Sequence, residues 1–304
     1  MLRQNDLEVV FMKQRAVLFL VWVLCVMLVA CSAPASDPAT KPSAPAVEPT
    51  QPQTQHTSPD DSLEEIYVQA VSLIGRSQYA EAYTLLLQLG DYRDAKQLLE
   101  HFVWKYTGLT ETTNLGGDLT TVYTYTYDEN GLLVASDYES EYYANAYTYT
   151  YELDEKGRVL SQKASSTAGY ETEITYEYDA QGRVSKETSV YGGSDVQVIM
   201  YEYDSLGRLV KETMPNDPEA VCYTYDERGH VTRKTIGDSH VVTFENEYDA
   251  KGRLAKCVRT ESGYSLEYEY TYDQYGNLTK EVESEQSGTV KTKEYSGYTC
   301  FYQA

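Results

Sequence analysis

Between Tyr127 and Leu278 the chain writes one phrase seven times, Tyr-x-Tyr-Asp-x-x-Gly-Arg-Leu, with its glycine at Gly131, Gly157, Gly182, Gly207, Gly229, Gly252 and Gly276. The gaps between these glycines are 26, 25, 25, 22, 23 and 24 residues. Self-similarity at such a period marks a row of like supersecondary units, each burying a face only against its neighbours. No single globular core is needed to explain the pattern.

One copy, Tyr201 to Lys211, shows what each unit must be. Tyrosine at alternate positions, then Asp-x-x-Gly, then a leucine or β-branched residue predicts two strands joined by a type I turn whose glycine takes the left-handed bulge position. Simple alternation then sets Asp204 opposite Arg208, Tyr203 opposite Leu209 and Tyr201 opposite Lys211, giving one tyrosine-and-aliphatic face and one charged face. Asp154 with Arg158, Asp179 with Arg183, and Asp249 with Arg253 repeat the ion pair. Leu132, His230 and Asn277 stand in for the arginine, Leu153 for a tyrosine, and Asn246 for the earlier tyrosine of the sixth unit. Short links such as Gly192-Gly193-Ser194 and Ser262-Gly263 make the strands meander in chain order. After the last copy, Thr289–Tyr295 and Tyr298–Tyr302 read as a final hairpin that forms a closing edge. The expected fold is mainly β: an antiparallel hairpin meander of about sixteen strands, open or partly curled and roughly 75 Å long if flat, preceded by a small α-helical segment.

The two ends of the chain differ from the array. Residues 1–30 read as a lipoprotein signal peptide: Lys13 and Arg15 form a basic head before an apolar run from Ala16 to Ala30, with the start at Met1 or Met12. Leu28-Val29-Ala30-Cys31 closes the run as a lipobox, in which Cys31 carries the acyl-bearing thioether. Residues 31–61 hold seven of the nine prolines and form a disordered, proline-rich tether. Over residues 62–106, apolar positions such as Ile66, Ala70, Leu73, Leu85, Leu86, Leu89, Leu98 and Phe102 recur at helical spacing. Gly75 and Gly90 are placed to cap, and Asp91 to start a third helix. The stretch Gly75–Ala82 resembles the turn of a tetratricopeptide unit, which implies a helix pair acting as a cap or spacer on the first strands.

From residue 119 to residue 304 the chain resembles the YD-repeat family, also called rearrangement-hotspot repeats, on the strength of its seven Asp-x-x-Gly copies, six of them preceded by tyrosine. Larger members of that family coil such hairpins into a hollow shell around a toxic C-terminal domain. The resemblance therefore implies shell material, here without the proline-aspartate-proline-glycine junction that precedes a toxin tail.

Function is constrained mainly by exclusion. Without residues 1–30 the charge is 22 minus 45, or −23, which disfavours nucleic acid and anionic lipid surfaces. No Cys-x-x-Cys, His-x-x-x-His, glycine-rich phosphate loop or Ser/His/Asp grouping stands out, so neither metal, cofactor nor catalytic residue is expected. Twenty-six of the 31 tyrosines lie from Tyr123 onward, and tyrosine is an effective contact residue. The candidate ligand contacts are those outside the motif, Tyr138, Tyr142, Tyr143, Tyr191 and Tyr264, read as turn residues on a rigid scaffold. The leading expectation is a non-enzymatic binding or adhesion scaffold for glycan or surface protein. It would be extracytoplasmic, anchored to the bacterial membrane through Cys31 and exposed at the cell surface. The alternative is a structural shell fragment that assembles with another protein, and a third reading is a cell-wall hydrolase.

Overall fold

The computed structural model describes residues 59–114 and 117–303. The expected signal, Cys31 and the tether up to residue 58 lie outside the described residues. Among the described residues, no helix is long and apolar enough to cross a membrane.

Three helices open the described chain: α1 (Pro59–Ile74), α2 (Tyr79–Leu89) and α3 (Ala95–Leu99). Ala70 and Ala82 are fully buried between the first two, where a small side chain lets backbones approach, and Leu86, Leu89 and Ala95 complete their core. The caps differ in detail from expectation. Gly90 does take positive φ, but the α1–α2 turn uses Ser77 at φ +59°, and α3 starts after Asp94, not Asp91. Phe102, in phase with the helices by sequence, is a strand residue. It belongs to β1 (Phe102–Lys105), which pairs with β18 (Thr299–Tyr302) at the other end of the chain, Phe102 opposite Tyr302 and Trp104 opposite Cys300. Long-range pairing of aromatic residues overrides the local helical period there.

The array forms β2 (Gly108–Asn114), β3 (Asp118–Tyr127), β4 (Leu133–Ser140), β5 (Ala144–Leu153), β6 (Val159–Ser166), β7 (Glu171–Tyr178), β8 (Val184–Tyr191) and β9 (Asp195–Tyr203). It continues through β10 (Leu209–Met214), β11 (Asp217–Tyr225), β12 (Val231–Ile236), β13 (His240–Tyr248), β14 (Leu254–Glu261), β15 (Tyr264–Tyr272), β16 (Leu278–Glu285) and β17 (Val290–Ser296). Each strand pairs antiparallel with the next, and β17 pairs with β2, so the sheet is neither open nor partly curled: it is a closed barrel of sixteen strands. The expected final hairpin is likewise divided, β17 closing the barrel and β18 leaving it to join β1.

Closure has two causes in the residues. Every YD hairpin carries a second irregularity beyond its turn: Leu209 pairs with Tyr203, but Lys211 pairs with Glu202 and Glu212 with Tyr201. One residue, Val210, is extra, and the same slip recurs in the other six units. A bulge bends its strand and increases twist, so seven in phase curl the sheet one way. The outer strands then meet with matched charge, Lys291 to Glu111 at 2.8 Å across the seam and Lys293 to Glu281 at 2.7 Å beside it. Pairing also satisfies two rows of edge amides and carbonyls that an open meander leaves exposed.

The slip also corrects the expected register. Tyr201 stands opposite Glu212, not Lys211, so the tyrosine face that turns inward carries carboxylates as well as aliphatic groups. With strands ~4.8 Å apart and tilted by about 35–45°, sixteen make a wall roughly 30–35 Å across. Barrels of that strand number enclose more space than their side chains fill.

All seven YD turns lie at one end of the barrel and the other links at the opposite end, because the meander runs strictly up and down. The helices and the β1–β18 ribbon sit at the YD-turn end. Trp104 stacks on Tyr275 in the seventh turn with ring centroids 5.3 Å apart, while Phe301 packs beside Tyr127 and Gly131 of the first unit. First and seventh units flank the β17–β2 seam, so this cap straddles the closure and staples it. Tyr83 links the helices to the same place, touching Phe102, Trp104 and Tyr275.

Candidate functional site

Each YD turn is built by its aspartate. Asp179 Oδ1 accepts the amides of Gln181 and Arg183 at 2.9 Å, and Asp179 Oδ2 accepts Arg183 Nε at 2.7 Å. The motif glycines take φ between +77° and +92°, a region that a Cβ resists. The same fork recurs at Asp154, Asp204 and Asp249, whose Asp–Arg pairing agrees with the sequence reading. Backbone amides and the arginine together hold these carboxyls below the ordinary carboxylate range, against the opposing effect of desolvation.

The arginine also reaches the next unit. Arg158 lies over the ring of Tyr178, Arg183 over Tyr203, Arg208 over Tyr225 and Arg253 over Tyr272, at 4.4 to 4.9 Å. The covered tyrosine donates its hydroxyl back to the preceding unit: Tyr178 to Val159 O at 2.6 Å, Tyr203 to Val184 O at 2.7 Å and Tyr272 to Leu254 O at 2.8 Å. The motif is thus a clasp between neighbours as well as a turn.

The irregular units keep the clasp by other means. Ahead of the first unit, where no motif arginine precedes Tyr127, Lys105 of the cap donates to Gly131 O at 2.6 Å and stands 5.3 Å from the Tyr127 ring. Where His230 replaces it, Arg228 covers Tyr248 at 4.6 Å, and the unclaimed Asp226 Oδ2 accepts the Tyr248 hydroxyl. Asn246 then donates to Val231 O at 3.0 Å in place of a tyrosine. Asn277 keeps the link to Asp273 at 3.0 Å.

Inside, the bulge brings the fifth residue after each motif glycine onto the lumen wall: Ser136, Gln162, Glu187, Glu212, Lys234, Cys257 and Glu281. Tyr201 donates to Glu187 Oε2 at 3.2 Å and Tyr223 to Glu212 Oε1 at 3.1 Å. Burial pushes the Glu187 and Glu212 carboxyls up, and it drives the Tyr201 and Tyr223 phenols far above their ordinary value. These phenols stay protonated at neutral pH and serve as hydrogen-bond donors. The wall is therefore a polar, aromatic surface on which Tyr201 and Tyr223 bind Glu187 and Glu212. Among the described residues no group of three or more His, Cys, Asp or Glu side chains is placed to hold a metal ion.

The end opposite the cap carries the tyrosines singled out in the sequence. Tyr142 is 74% exposed, and Tyr143, Tyr191 and Tyr264 are also exposed. Tyr138 differs: it is a β4 residue opposite Tyr123, facing inward and packed against Tyr143 and Tyr147 with centroids 5.7 and 6.4 Å away. It therefore joins Tyr143 in one aromatic group, whereas Tyr191 and Tyr264 stand on separate hairpins. Tyr170, 60% exposed in the β6–β7 link, belongs to the same rim. The adjacent Ala168-Gly169 turn marks its position in the sequence as clearly as the other links do.

The outer wall is charged. Lys186 pairs with Glu177 at 2.6 Å, Lys211 with Glu202 and Lys256 with Glu267 at 2.8 Å, each across strands. These lysine-glutamate pairs lie across the outer face, where Val122, Val196 and Met200 are also exposed.

Residues 186–284 match the family model for the teneurin YD-shell. No curated protein matches the chain. Among solved structures, a porin-like protein from Bacteroides uniformis is 12% identical, with 63% of this chain and 97% of that one covered and a TM-score of 0.44. A porin-like protein from Bacteroides vulgatus is 11% identical over 63% and 97% of the two chains, with a TM-score of 0.29. The Photorhabdus luminescens Tc holotoxin pore is 14% identical; 66% of this chain aligns with 16% of that one at a TM-score of 0.22.

Proposed function

We propose, from the premise that this is a YD-repeat protein, that the chain is a non-enzymatic, lipid-anchored shell module at the bacterial cell surface, with the rim opposite the cap as the surface that meets a partner. The observation that carries this reading is the asymmetry of the barrel: the cap covers the turns on either side of the seam at one end, and the rim at the other exposes tyrosines. Tyrosine at a rim offers contact area at low entropic cost. Tyr201, Tyr203 and Tyr223 support a structural role, since their hydroxyls are taken up by carboxylates and a carbonyl of the wall itself. The lipobox reading of Cys31 supplies the anchor.

A second reading, adhesion to glycan, draws on the same exposed rings, Tyr142, Tyr143, Tyr191 and Tyr264. One experiment separates the two. The anchored full chain is produced with a photo-crosslinking residue at Tyr142 and, as control, at outward-facing Lys163. Crosslinking of one defined protein from Tyr142 alone supports assembly; recovery of polysaccharide from Tyr142 favours adhesion; equal yields from both positions contradict a specialised rim. Cys31→Ala in the same cells is expected to release the chain from the membrane fraction, and its retention there removes the anchor from the account.

A further inference from the structure

Five outward carboxylates hold a lysine within ion-pair distance. Glu173 pairs with Lys163, Glu177 with Lys186, Glu202 with Lys211, Glu267 with Lys256 and Glu294 with Lys280. The sector over β3, β4 and β5 holds no such pair among the described residues. Asp137 and Glu139 of β4 stand between Thr124 and Val122 on one side and Ala146 and Ala144 on the other. Asp137 accepts a hydrogen bond from Thr124 Oγ1 at 3.5 Å, and among the described residues neither acid is in an ion pair. The short neighbours leave a groove of about 330 Å³ beside the two acids, and Val122 is 45% exposed in it.

We propose that this groove docks an extended, basic segment of a partner protein with lysine or arginine at alternate positions. The match is one of charge, spacing and shape. Asp137 and Glu139 are two residues apart on one strand face, so their side chains repeat at about 6.5–7 Å, the spacing of alternate side chains on any extended strand. A lysine or arginine laid here sets its apolar stem on Val122, Ala144 and Ala146 and its charged head on a carboxylate. All three strands are paired on both edges, so the partner lies across the wall and adds no strand to the sheet. The two acids lie on the outer face of β4, beside the β4–β5 link that carries Tyr142 and Tyr143.

Fluorescence anisotropy of the full chain with a labelled Lys-Thr-Lys-Thr-Lys-Thr peptide tests it. Asp137→Asn with Glu139→Gln is expected to weaken binding at least about tenfold. Glu202→Gln with Glu267→Gln, the same change in net charge at carboxylates that already have lysines, is expected to change it less than about twofold. Equal losses overturn the proposal, because the peptide then senses only bulk charge. A Lys-Lys-Lys-Thr-Thr-Thr peptide should bind more weakly, and equal binding overturns the extended register. Self-association of the unaltered chain that the first double variant abolishes assigns the groove to a second copy and overturns the partner.

Discussion

The two ends of this barrel obey different rules. At the cap end seven turns share one chemistry, each aspartate holding two amides, and in five of them an arginine covers a ring of the next unit. At the other end the links differ in length and residues, and their tyrosines lie open. Repetition in the sequence thus marks where units must clasp one another, and variation marks where the scaffold leaves side chains free to meet something else.

The contrast breaks most readily at the cap. Phe102→Ala removes a buried ring from the cluster that joins helices, ribbon and seventh turn, and should cost about 3–5 kcal/mol. Tyr142→Ala at the rim should stay within about 0.5 kcal/mol. Urea midpoints measure both, and equal shifts would refute the division into a structural and a free end. Next in size, Gly182→Ala should cost about 1–2 kcal/mol. A Cβ there meets nothing closer than Arg158 Nη1 at 3.5 Å, so the penalty comes from its φ of +82°.

The smallest expected effect concerns pH. Burial raises Glu187 and Glu212, so the folded chain holds those protons more tightly than the unfolded one. Their contribution to stability is present below the ordinary carboxylate range and lost as pH rises through the raised values. Asp154, Asp179, Asp204 and Asp249 act with the opposite sign, losing their contribution as pH falls through their lowered values. Glu187→Gln with Glu212→Gln should therefore stabilise the chain above neutral pH, and the gain should vanish near pH 4. A pH-independent difference would show that the lumen carboxyls titrate as they do in the unfolded chain.

The turns were legible because their chemistry is local. Asp204, Gly207 and Arg208 lie within five residues, and the turn type, the positive φ and the ion pair all follow from their spacing. The bulge at Val210 was not, since valine there resembles any strand residue; with it went the register that puts Glu212 inside. Closure was hidden for a different reason. It depends on pairing between residues about 180 apart, such as Glu111 with Lys293, and no local period records such a contact. The substitutions were half legible: Leu132 and His230 were visible departures, but Arg228 in place of His230, and Lys105 over Tyr127 of the first unit, appear only once the chain is folded. Of the five candidate tyrosines, four lie exposed at the open end, and Tyr138 turned inward because strand β4 runs further than the turn signals implied.

The central claim is that β17 closes on β2. Thr112 and Thr292 are register partners across that seam, and Val122 and Glu139 are partners across the sequential β3–β4 pair. Paired Cα atoms of either kind lie within disulfide reach. Thr112→Cys with Thr292→Cys, mildly oxidised and digested, should yield a disulfide-linked peptide as readily as Val122→Cys with Glu139→Cys. Linkage of the β3–β4 control with free thiols at positions 112 and 292 would contradict the closed barrel.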